Sequence, residues 1–362
     1  MRHRPHLQSA ALLLTLCFAG SAQVVTEYPA GLTGFPNGIA AAPDGALWFT
    51  LGPINQIGRI TTAGVVSRYS AGLAPGSGSD MIAAGPDGAL WFTDPYGNQI
   101  GRITTAGVIT VYSAGLTPGG SPDGIAAGPD GALWFTESGG FRIGRITTAG
   151  VIAEYSAGLT GFPKEISAGP DGALWFTEPF SNRIGRITTA GVIAEYSAGL
   201  TAGSGPWQIA AGPDGALWFT EIDVDRIGRI TTGGTITEYS AGLTAGSAPN
   251  GIAAGPDGAL WFTEQNGDRI GRITTTGVIT EYSAGMTPGG VPTSITRGPD
   301  GAMWFVEVDN LSVGGIGRIT VPAASVPTLP GWGVLLLAGL LTGVVALELR
   351  RRIRWRASAS PR

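Results

Sequence analysis

The chain contains few of the residue types on which acid–base and metal chemistry most often depend. Its 362 residues include two histidines, His3 and His6, and one cysteine, Cys17, all near the amino terminus. Nucleophilic triads need a base such as histidine, and zinc sites are built mainly from cysteine and histidine. Walker-type phosphate loops are also missing from the sequence. We therefore assign no catalytic residue from the sequence alone.

Charge is scarce as well, and it is unevenly distributed. Charged residues make up 13% of the chain, about half of the usual ~25%. Two arginines precede residue 23, and six arginines with one glutamate follow residue 321, so the segment between them contains 14 basic and 25 acidic residues. An acidic body repels nucleic acid and favours cations or neutral ligands. We therefore expect no nucleic-acid partner.

Both ends of the chain carry targeting patterns. Residues 1–22 combine a basic start, an apolar run and small residues at Gly20 and Ala22, which predicts a secretory signal peptide. Residues 332–349 are apolar and residues 350–362 are basic, which predicts a transmembrane helix followed by a cytoplasmic tail. The alternative for residues 332–349 is a buried core helix, which leaves the arginines that follow unexplained.

Residues 322–331 form a linker that leads into the predicted membrane helix. The order of Val-Pro-Thr-Leu-Pro-Gly-Trp-Gly from Val326, an apolar segment and an arginine cluster resembles the IPTL-CTERM sorting signal of Gram-negative bacteria. This resemblance implies export and sorting machinery as partners, and a membrane protease that removes the tail. We expect the body in the periplasm or on the cell surface, anchored to the membrane by the C-terminal helix at least transiently.

A repeat dominates residues 23–321. The segment Pro-Asp-Gly-Ala-Leu-Trp-Phe occurs seven times with almost no change, and successive copies lie 43, 43, 41, 43, 43 and 43 residues apart. Each unit contains four short runs rich in Ile, Val, Thr, Tyr and Trp, separated by turns such as Asp-Gly, and no helical period. This pattern predicts an all-β chain that folds as a monomeric seven-bladed β-propeller.

Counting the strands predicts how the ring closes. The strand Ile-Gly-Arg-Ile-Thr occurs seven times, but its last copy, residues 316–320, is not followed by a fourth strand. Residues 24–28 supply a seventh copy of that fourth strand at the amino terminus. We therefore expect the last blade to take its outer strand from residues 24–28, which leaves no open edge at the joint.

One tryptophan and one arginine recur in every blade. The tryptophan follows Ala-Leu or Ala-Met, and the arginine belongs to Ile-Gly-Arg-Ile. An aromatic ligand platform is one interpretation of the tryptophans, but a ligand seldom has sevenfold symmetry. We expect packing between blades for the tryptophans, and hydrogen bonds to neighbouring backbone or to the turn aspartates for the arginines.

The seven copies differ mainly on one face. The turns between the first and second strands and between the third and fourth strands are nearly constant, whereas the other two connections of each blade vary. We call the side that carries the varying connections the variable face. Ligand-contacting loops diversify while scaffold turns stay uniform, so the variable face is the predicted working face.

Two sets of residues on the variable face are predicted to line the mouth of the central channel. The strand-end acids follow Trp-Phe-Thr or Trp-Phe-Val in six blades, with Leu51 in the remaining blade: Asp94, Glu137, Glu178, Glu221, Glu264 and Glu307. The inner ring precedes each first strand: Asn37, Asp80, Asp123, Lys164, Trp207, Asn250 and Thr293.

We assign ligand binding to the inner ring and metal binding to the strand-end acids. Converging carboxylates would hold a hard divalent cation such as Mg²⁺ or Ca²⁺, or would raise some of their own pKa values by mutual repulsion. The alternative is that these acids point into solvent as ordinary strand ends. The sequence leaves both interpretations open.

The blade motif Gly-Pro-Asp-Gly-Ala-Leu-Trp-Phe-Thr-Glu, followed by Arg-Ile-Gly-Arg-Ile-Thr, resembles the virginiamycin B lyase family over residues 24–320. That family consists of seven-bladed propellers that are similar to gluconolactonase-like and NHL propellers. The resemblance implies Mg²⁺-assisted elimination that opens a cyclic depsipeptide at its ester, with glutamates on the metal and a histidine that moves the proton. Glu137, Glu178, Glu221, Glu264 and Glu307 match the family's acidic position after Trp-Phe-Thr.

The chain departs from this family where histidine is expected. Family repeats commonly carry Pro-His-Gly-Ile, and the corresponding positions here include Asn37, Asp123 and Asn250. A carboxylate with a raised pKa, such as Asp123 or Glu137, would have to replace the histidine. Our first hypothesis is thus an exported propeller that binds a small molecule, glycan or protein through its variable acidic face. The alternative is a Mg²⁺-dependent carbon–oxygen lyase that opens a cyclic ester or lactone.

Overall fold

Each copy of the Pro-Asp-Gly repeat folds into one blade, a four-stranded antiparallel sheet. The computed structural model describes residues 23–309 and 313–321, and these residues form seven such sheets. The first strands of neighbouring blades contact one another around the ring, including those of blades 1 and 7. The predicted seven-bladed propeller is confirmed.

The four strands of a blade run in sequence order from the channel outward in blades 1 to 6. The first strands are Ile39–Ala41, Ile82–Ala84, Pro122–Ala127, Ile166–Ala168, Pro206–Ala211, Pro249–Ala254 and Gly290–Arg297. The second strands are Ala46–Leu51, Leu90–Asp94, Leu133–Glu137, Ala173–Glu178, Ala216–Glu221, Ala259–Glu264 and Met303–Asp309.

The third and fourth strands complete each sheet. The third strands are Gln56–Thr61, Gln99–Ile103, Arg142–Ile146, Arg183–Thr188, Arg226–Thr231, Arg269–Thr274 and Val313–Ile319. The fourth strands are Val66–Tyr69, Ile109–Tyr112, Ile152–Tyr155, Ile193–Tyr196, Ile236–Tyr239 and Ile279–Tyr282, with Val25–Thr33 in blade 7. Two short 3₁₀ helices, Gly52–Ile54 and Pro179–Ser181, lie in connections between second and third strands.

Blade 7 is closed by the amino-terminal strand, as the strand count predicted. Val25 pairs with Ile319 and Tyr28 pairs with Ile316 in an antiparallel register. The joint is also packed, because Trp304 of blade 7 lies in one buried cluster with Leu47 and Phe49 of blade 1. The chain therefore forms a closed ring.

The hydrophobic core lies between blades. Trp218 of blade 5, for example, is buried with Leu260 and Phe262 of blade 6. The glycine of Ile-Gly-Arg-Ile makes this packing possible, because a Cβ built on Gly144 would lie 2.1 Å from the Phe135 ring. Any larger residue there would collide with a ring that packs against Trp91 and Ile100 of the preceding blade. The same cluster repeats around the ring, so no single blade has a core of its own.

The recurring tryptophan and arginine meet at the Pro-Asp-Gly turn. In blade 5, Asp214 accepts hydrogen bonds from the Trp218 indole at 3.0 Å and from the Arg229 guanidinium at 2.7 Å. The guanidinium lies over the Trp218 ring at 5.8 Å, and Tyr239 stacks on that ring at 5.5 Å. Each of the seven blades has the equivalent Arg–Asp ion pair. The predicted structural roles of both residues are confirmed.

Several predicted segments lie outside the described residues. These are the signal peptide at residues 1–22, the linker and sorting motif at 322–331, the membrane helix at 332–349 and the basic tail at 350–362. Within residues 23–309 and 313–321, no helix has the length and apolar character that a membrane crossing requires.

Candidate functional site

The inner ring is held in place by the threonine of Trp-Phe-Thr. Thr93 Oγ1 donates to the backbone oxygen of Asp123 at 2.6 Å, and Thr136 Oγ1 donates to that of Lys164 at the same distance. The donor belongs to the preceding blade in each case, so every such bond also joins two blades. Blade 7 carries Val306 instead, which has no hydroxyl to donate to Asn37.

Lys164 is the centre of a charged cluster at the channel mouth. Its Nζ donates to both carboxylate oxygens of Asp123, at 2.7 and 2.8 Å. On its other side, the ammonium lies 5.2 Å from the centre of the Trp207 ring, a cation–π contact. Burial opposes the charge, but the carboxylates of Asp123 and Asp80 outweigh that effect and raise the pKa of Lys164. Lys164 is therefore a fixed positive charge.

Asp80 and Glu165 have perturbed pKa values in the same cluster. Burial, with the nearby Asp123 carboxylate, raises the pKa of Asp80 to about 6, although Lys164 and Asn37 oppose this shift. Burial raises the pKa of Glu165 to about 8, so its carboxyl is largely protonated at neutral pH. The cluster thus contains one group, Asp80, that exchanges a proton close to neutral pH.

Sequence reasoning missed Glu165. The six equivalent positions are Gly38, Met81, Gly124, Gln208, Gly251 and Ser294, so an ionisable residue occurs there in blade 4 alone. A second unused signal is composition, because Lys164 is the only lysine in the whole chain. Both signals mark blade 4 as the blade whose inner end departs most from the repeat.

A cavity of about 620 Å³ opens beside this cluster, over blades 1 and 2. Asn37 and Asp80 of the inner ring line it, together with residues 52–53, 76–79, 95–96 and Ser121. These segments belong to the varying connections, so the cavity lies on the variable face. Its size is within the range of small-molecule sites. We call this cavity and the Asp80–Asp123–Lys164 cluster the channel-mouth site.

The remaining inner-ring residues make separate contacts. Asn250 donates from its amide to the side chain of Gln265 at 2.7 Å. The backbone oxygen of Thr293 accepts a hydrogen bond from Thr263 Oγ1 at 2.6 Å. The structure therefore groups Asn37, Asp80, Asp123, Lys164 and Trp207, and it places Asn250 and Thr293 in other contacts.

The structure corrects the predicted position of the strand-end acids. Glu137, Glu178, Glu221, Glu264 and Asp94 have no exposed surface, and Glu307 is 6% exposed. Glu137 lies beside Glu154 and Arg142, in the outer strands of its own blade. It is two residues after the buried Phe135, so strand alternation turns both side chains toward the space between blades. These acids are therefore buried and do not point into solvent as ordinary strand ends.

Four of these acids share one local arrangement. In blade 4, Glu178 lies beside Glu195, which accepts hydrogen bonds from the backbone and side chain of Thr160 and from Arg183 at 3.0 Å. Neither carboxylate oxygen of Glu178 accepts a hydrogen bond. Burial, with the charge of the neighbouring glutamate, raises the pKa of Glu137, Glu178, Glu221 and Glu264 to about 8 in each case. The inner glutamate of each pair is therefore mostly neutral at neutral pH.

Asp94 has a different environment from these glutamates. It accepts hydrogen bonds from the backbone N–H groups of Gly78 and Gly97 and from the amide of Gln99, at 2.9, 2.8 and 2.7 Å. These three donors satisfy the hydrogen-bonding oxygens of Asp94, whose side chain is shorter than that of glutamate. Asp94 therefore holds together the loops that form one wall of the cavity.

The strand-end acids do not fit one shared Mg²⁺ or Ca²⁺ site. Each lies in its own blade against its own partners, and a hard cation needs several oxygen ligands at one point. Within residues 23–309 and 313–321, no three Asp, Glu, His or Cys side chains are grouped closely enough to hold a metal ion. Metal binding by individual strand-end acids stays a prediction.

The fold defines a class of protein: a closed seven-bladed β-propeller, here with a cavity beside a charged cluster on one face. A model of the virginiamycin B lyase family matches residues 21–160 and 157–326. A streptogramin B lyase structure is 37% identical, with a TM-score of 0.76, over 82% of this chain and 97% of that one.

A second solved structure agrees with the first. It is a catalytically inactive histidine-to-alanine variant of the virginiamycin B lyase from Staphylococcus aureus with quinupristin, 39% identical with a TM-score of 0.76, over 83% of this chain and 99% of that one. The virginiamycin B lyase of Bordetella parapertussis is 50% identical over 46 residues, 12% of this chain and 15% of that protein's length. The chain belongs to the virginiamycin B lyase family.

Proposed function

We propose that the protein binds a small organic cation at the channel-mouth site. The observation that carries this proposal is the position of Asp80, which lines the cavity beside the Asp123–Lys164 pair. Lys164 occupies both carboxylate oxygens of Asp123. Of the two aspartates, Asp80 is therefore the one that is placed to receive a ligand. The acidic balance of residues 23–321 favours the same charge in the ligand.

A ligand cation changes the ionisation of Asp80 as it binds. An ammonium group close to a carboxyl stabilises the carboxylate, so bound ligand lowers the pKa of Asp80 from about 6. Affinity is then highest above pH 6 and weakens as the pH falls, because protonated Asp80 offers no negative charge. A neutral ligand would show no such dependence.

The direct test is a ligand-detected NMR screen of small amines, alcohols and carboxylic acids with the purified protein. Amines should bind preferentially, and Asp80→Asn should weaken them about tenfold, which corresponds to a charge-assisted hydrogen bond of roughly 1.5 kcal/mol. Asp223→Asn is the matched control, since Asp223 lies on a varying connection of blade 5 outside the site. Amine binding that Asp80→Asn and Asp223→Asn affect equally would exclude the proposal.

Lyase activity is the second candidate, and family membership favours it. In a ring-opening elimination, a base takes a proton from carbon, a carbon–carbon double bond forms, and the ester carboxylate leaves as its carbon–oxygen bond breaks. Residues 23–362 contain no histidine, so the candidate base is Asp80, whose pKa of about 6 suits proton transfer near neutral pH. This assignment replaces Asp123 and Glu137, the substitutes that the sequence suggested.

Incubation with quinupristin, followed by liquid chromatography with ultraviolet detection, tests the lyase candidate. Ring opening by this elimination leaves the mass unchanged, so chromatographic separation and ultraviolet absorbance of the new double bond provide the readout. Turnover that Asp80→Asn removes would support the role of Asp80. No turnover with or without added Mg²⁺ would exclude this substrate, and calorimetric titration with Mg²⁺ and Ca²⁺ would test the predicted metal binding separately.

We also propose that the protein is exported and anchored by its C-terminal segment. The support is the order of sequence patterns, with a signal-like segment at residues 1–22 and an apolar segment before the final arginines. Cell fractionation with and without residues 1–22 tests export. Retention of the shortened chain in the cytoplasm is the expected result, and equal distribution of both chains would contradict it.

A further inference from the structure

One residue in the turn after the second strand has left-handed backbone geometry in six blades. These residues have φ between 47° and 54°: Asn55, Asn98, Phe141, Asn182, Asp225 and Asp268. Asn and Asp tolerate this conformation far better than other non-glycine residues. Phe141 in blade 3 is therefore the exception among the six.

The polar residues at this position fasten the connection that enters the next blade. Asn98 donates to the backbone oxygen of Thr117 at 3.1 Å and accepts from the N–H of Ser121 at 3.0 Å. Asp225 accepts from the N–H groups of Gly246 and Ala248 at 2.6 and 2.9 Å. An aromatic side chain can make neither kind of hydrogen bond. Phe141 therefore lacks these bonds to the next connection as well as the favourable backbone geometry.

Phe141 instead begins a row of exposed aromatic rings. Its ring centre lies 4.0 Å from that of Phe162, which lies 6.1 Å from that of Phe180 in an edge-on arrangement. The three side chains are 40%, 40% and 80% exposed, respectively. All three belong to varying connections of blades 3 and 4. We call them the aromatic platform.

The platform lies on the same face as the channel-mouth site, and one connection carries residues of both. Phe162 precedes Lys164 by two residues on the same connection, and Lys164 contacts the Trp207 ring. The cavity lies over blades 1 and 2 and the platform over blades 3 and 4, with the Asp80–Asp123–Lys164 cluster between them. A ligand that extends from Asp80 past Lys164 would therefore approach the exposed rings of blades 3 and 4.

We propose that the aromatic platform binds an aromatic ring of the molecule held at the channel mouth. The ligand class is then an arylalkylamine, with its ammonium group at Asp80 and its ring on the three phenylalanines. This inference rests on the proposed function, because the aromatic ring belongs to the cation that is proposed to bind at Asp80. The geometric and hydrogen-bonding disadvantage of Phe141 is explained if the residue serves a ligand rather than the fold.

Two matched probe pairs test the platform on the full-length protein. Phenethylamine and 2-cyclohexylethylamine have the same charge and chain length, and benzyl alcohol and cyclohexylmethanol are an uncharged pair of the same kind. We expect NMR titrations to give tighter binding for the aromatic member of each pair by about threefold to tenfold, the contribution of an aromatic pair beyond its buried area. No preference in either pair would overturn the proposal.

The variant Phe141→Asn separates binding from folding. It restores the residue found in blades 1, 2 and 4, so we expect a higher melting temperature together with loss of the aromatic preference. Phe180→Ala should reduce the preference with little effect on melting, and Val151→Thr, a change at an exposed side chain on the opposite face, should alter neither. A lower melting temperature for Phe141→Asn would show that the platform serves the fold, and would overturn the proposal.

The same measurements distinguish failure of the platform from failure of cation binding. If both amines bind equally and Asp80→Asn weakens both, cation binding stands and the platform is wrong. If neither amine binds but benzyl alcohol still prefers wild-type protein over Phe141→Asn, the platform stands and cation binding is wrong. Sedimentation velocity adds one more outcome: a dimer that Phe180→Ala converts to monomer would assign the rings to a second copy and overturn the small-molecule proposal.

Discussion

The two faces of the propeller use the same backbone repeat for different purposes. On one face, each Pro-Asp-Gly turn joins an aspartate, a tryptophan and an arginine in the same contacts in all seven blades. On the variable face, the corresponding positions hold different residues, and one lysine organises the charged cluster at the channel mouth. Sevenfold contacts supply stability, and departures from sevenfold symmetry mark the site.

The largest expected effect comes from the repeated contacts. Trp218→Ala removes a fully buried ring that fills the space between blades 5 and 6, and should cost about 3–5 kcal/mol of unfolding free energy. Trp207→Ala is the matched control, because Trp207 is partly exposed on the variable face and should cost less than half as much. Denaturant unfolding measures both. Equal losses would show that the faces do not differ in this way.

The next effect concerns the buried glutamates and depends on pH. The pKa of Glu221 is raised to about 8 on folding, so between about pH 5 and pH 8 the folded chain keeps a proton that the unfolded chain has released. Unfolding free energy should therefore fall as pH rises through this window. Glu221→Gln removes the ionisation and should stabilise the protein by at least about 1 kcal/mol at pH 8, with little change at pH 5. Melting curves at both pH values test this, and equal shifts at pH 5 and 8 would contradict it.

A smaller effect is expected from one charge in a repeated turn. Although burial opposes it, hydrogen bonds from Trp218 and Arg229 lower the pKa of Asp214. Asp214→Asn weakens these charge-assisted bonds and should cost about 1 kcal/mol, since the pair is partly exposed. The difference from wild type should shrink as the pH falls below 3.8, the ordinary pKa of the group, because the unfolded chain then takes up a proton that the folded carboxylate accepts only at lower pH. Denaturant unfolding at pH 7 and pH 3 measures this, and a constant difference would rule out the charge as its cause.

The last effect is expected at the site itself. Asp80→Asn keeps the size of the side chain and removes a carboxyl whose pKa is raised to about 6 on folding, so unfolding free energy at pH 7 should rise rather than fall, by about 1 kcal/mol or more. Amine affinity, by contrast, should lose its dependence on pH between 5 and 7. A variant that binds normally with an unchanged pH profile would remove Asp80 from the site.

The fold could be predicted because the same local pattern occurs seven times. Each copy gives strands, turns and a tryptophan in the same order, and the missing fourth strand after residues 316–320 identifies residues 24–28 as its replacement. Contacts that repeat with the sequence, such as Asp214 with Arg229, could be predicted for the same reason. Errors in a single copy matter little when six others agree.

The site was less accessible to sequence reasoning. The alternation of side chains along a strand could have predicted that Glu137 faces the space between blades, because Leu133 and Phe135 share its face. The grouping of Asp80 with Asp123 and Lys164, however, depends on how three different blades approach one another, and no repeat pattern carries that information. Glu165 and Phe141 each occur once in their positions, so comparison of copies marks them as unusual without showing their neighbours.

The closing strand at residues 25–33 also constrains how the protein is made. This strand leaves the ribosome early, whereas its partner at residues 313–319 is translated last among the blades. Until then the nascent chain is an open arc, with Leu47 and Phe49 at one end lacking the Trp304 ring that later covers them. Such exposed apolar surface promotes aggregation of incomplete chains. Newly made protein should therefore depend on chaperones until the final strand joins the first.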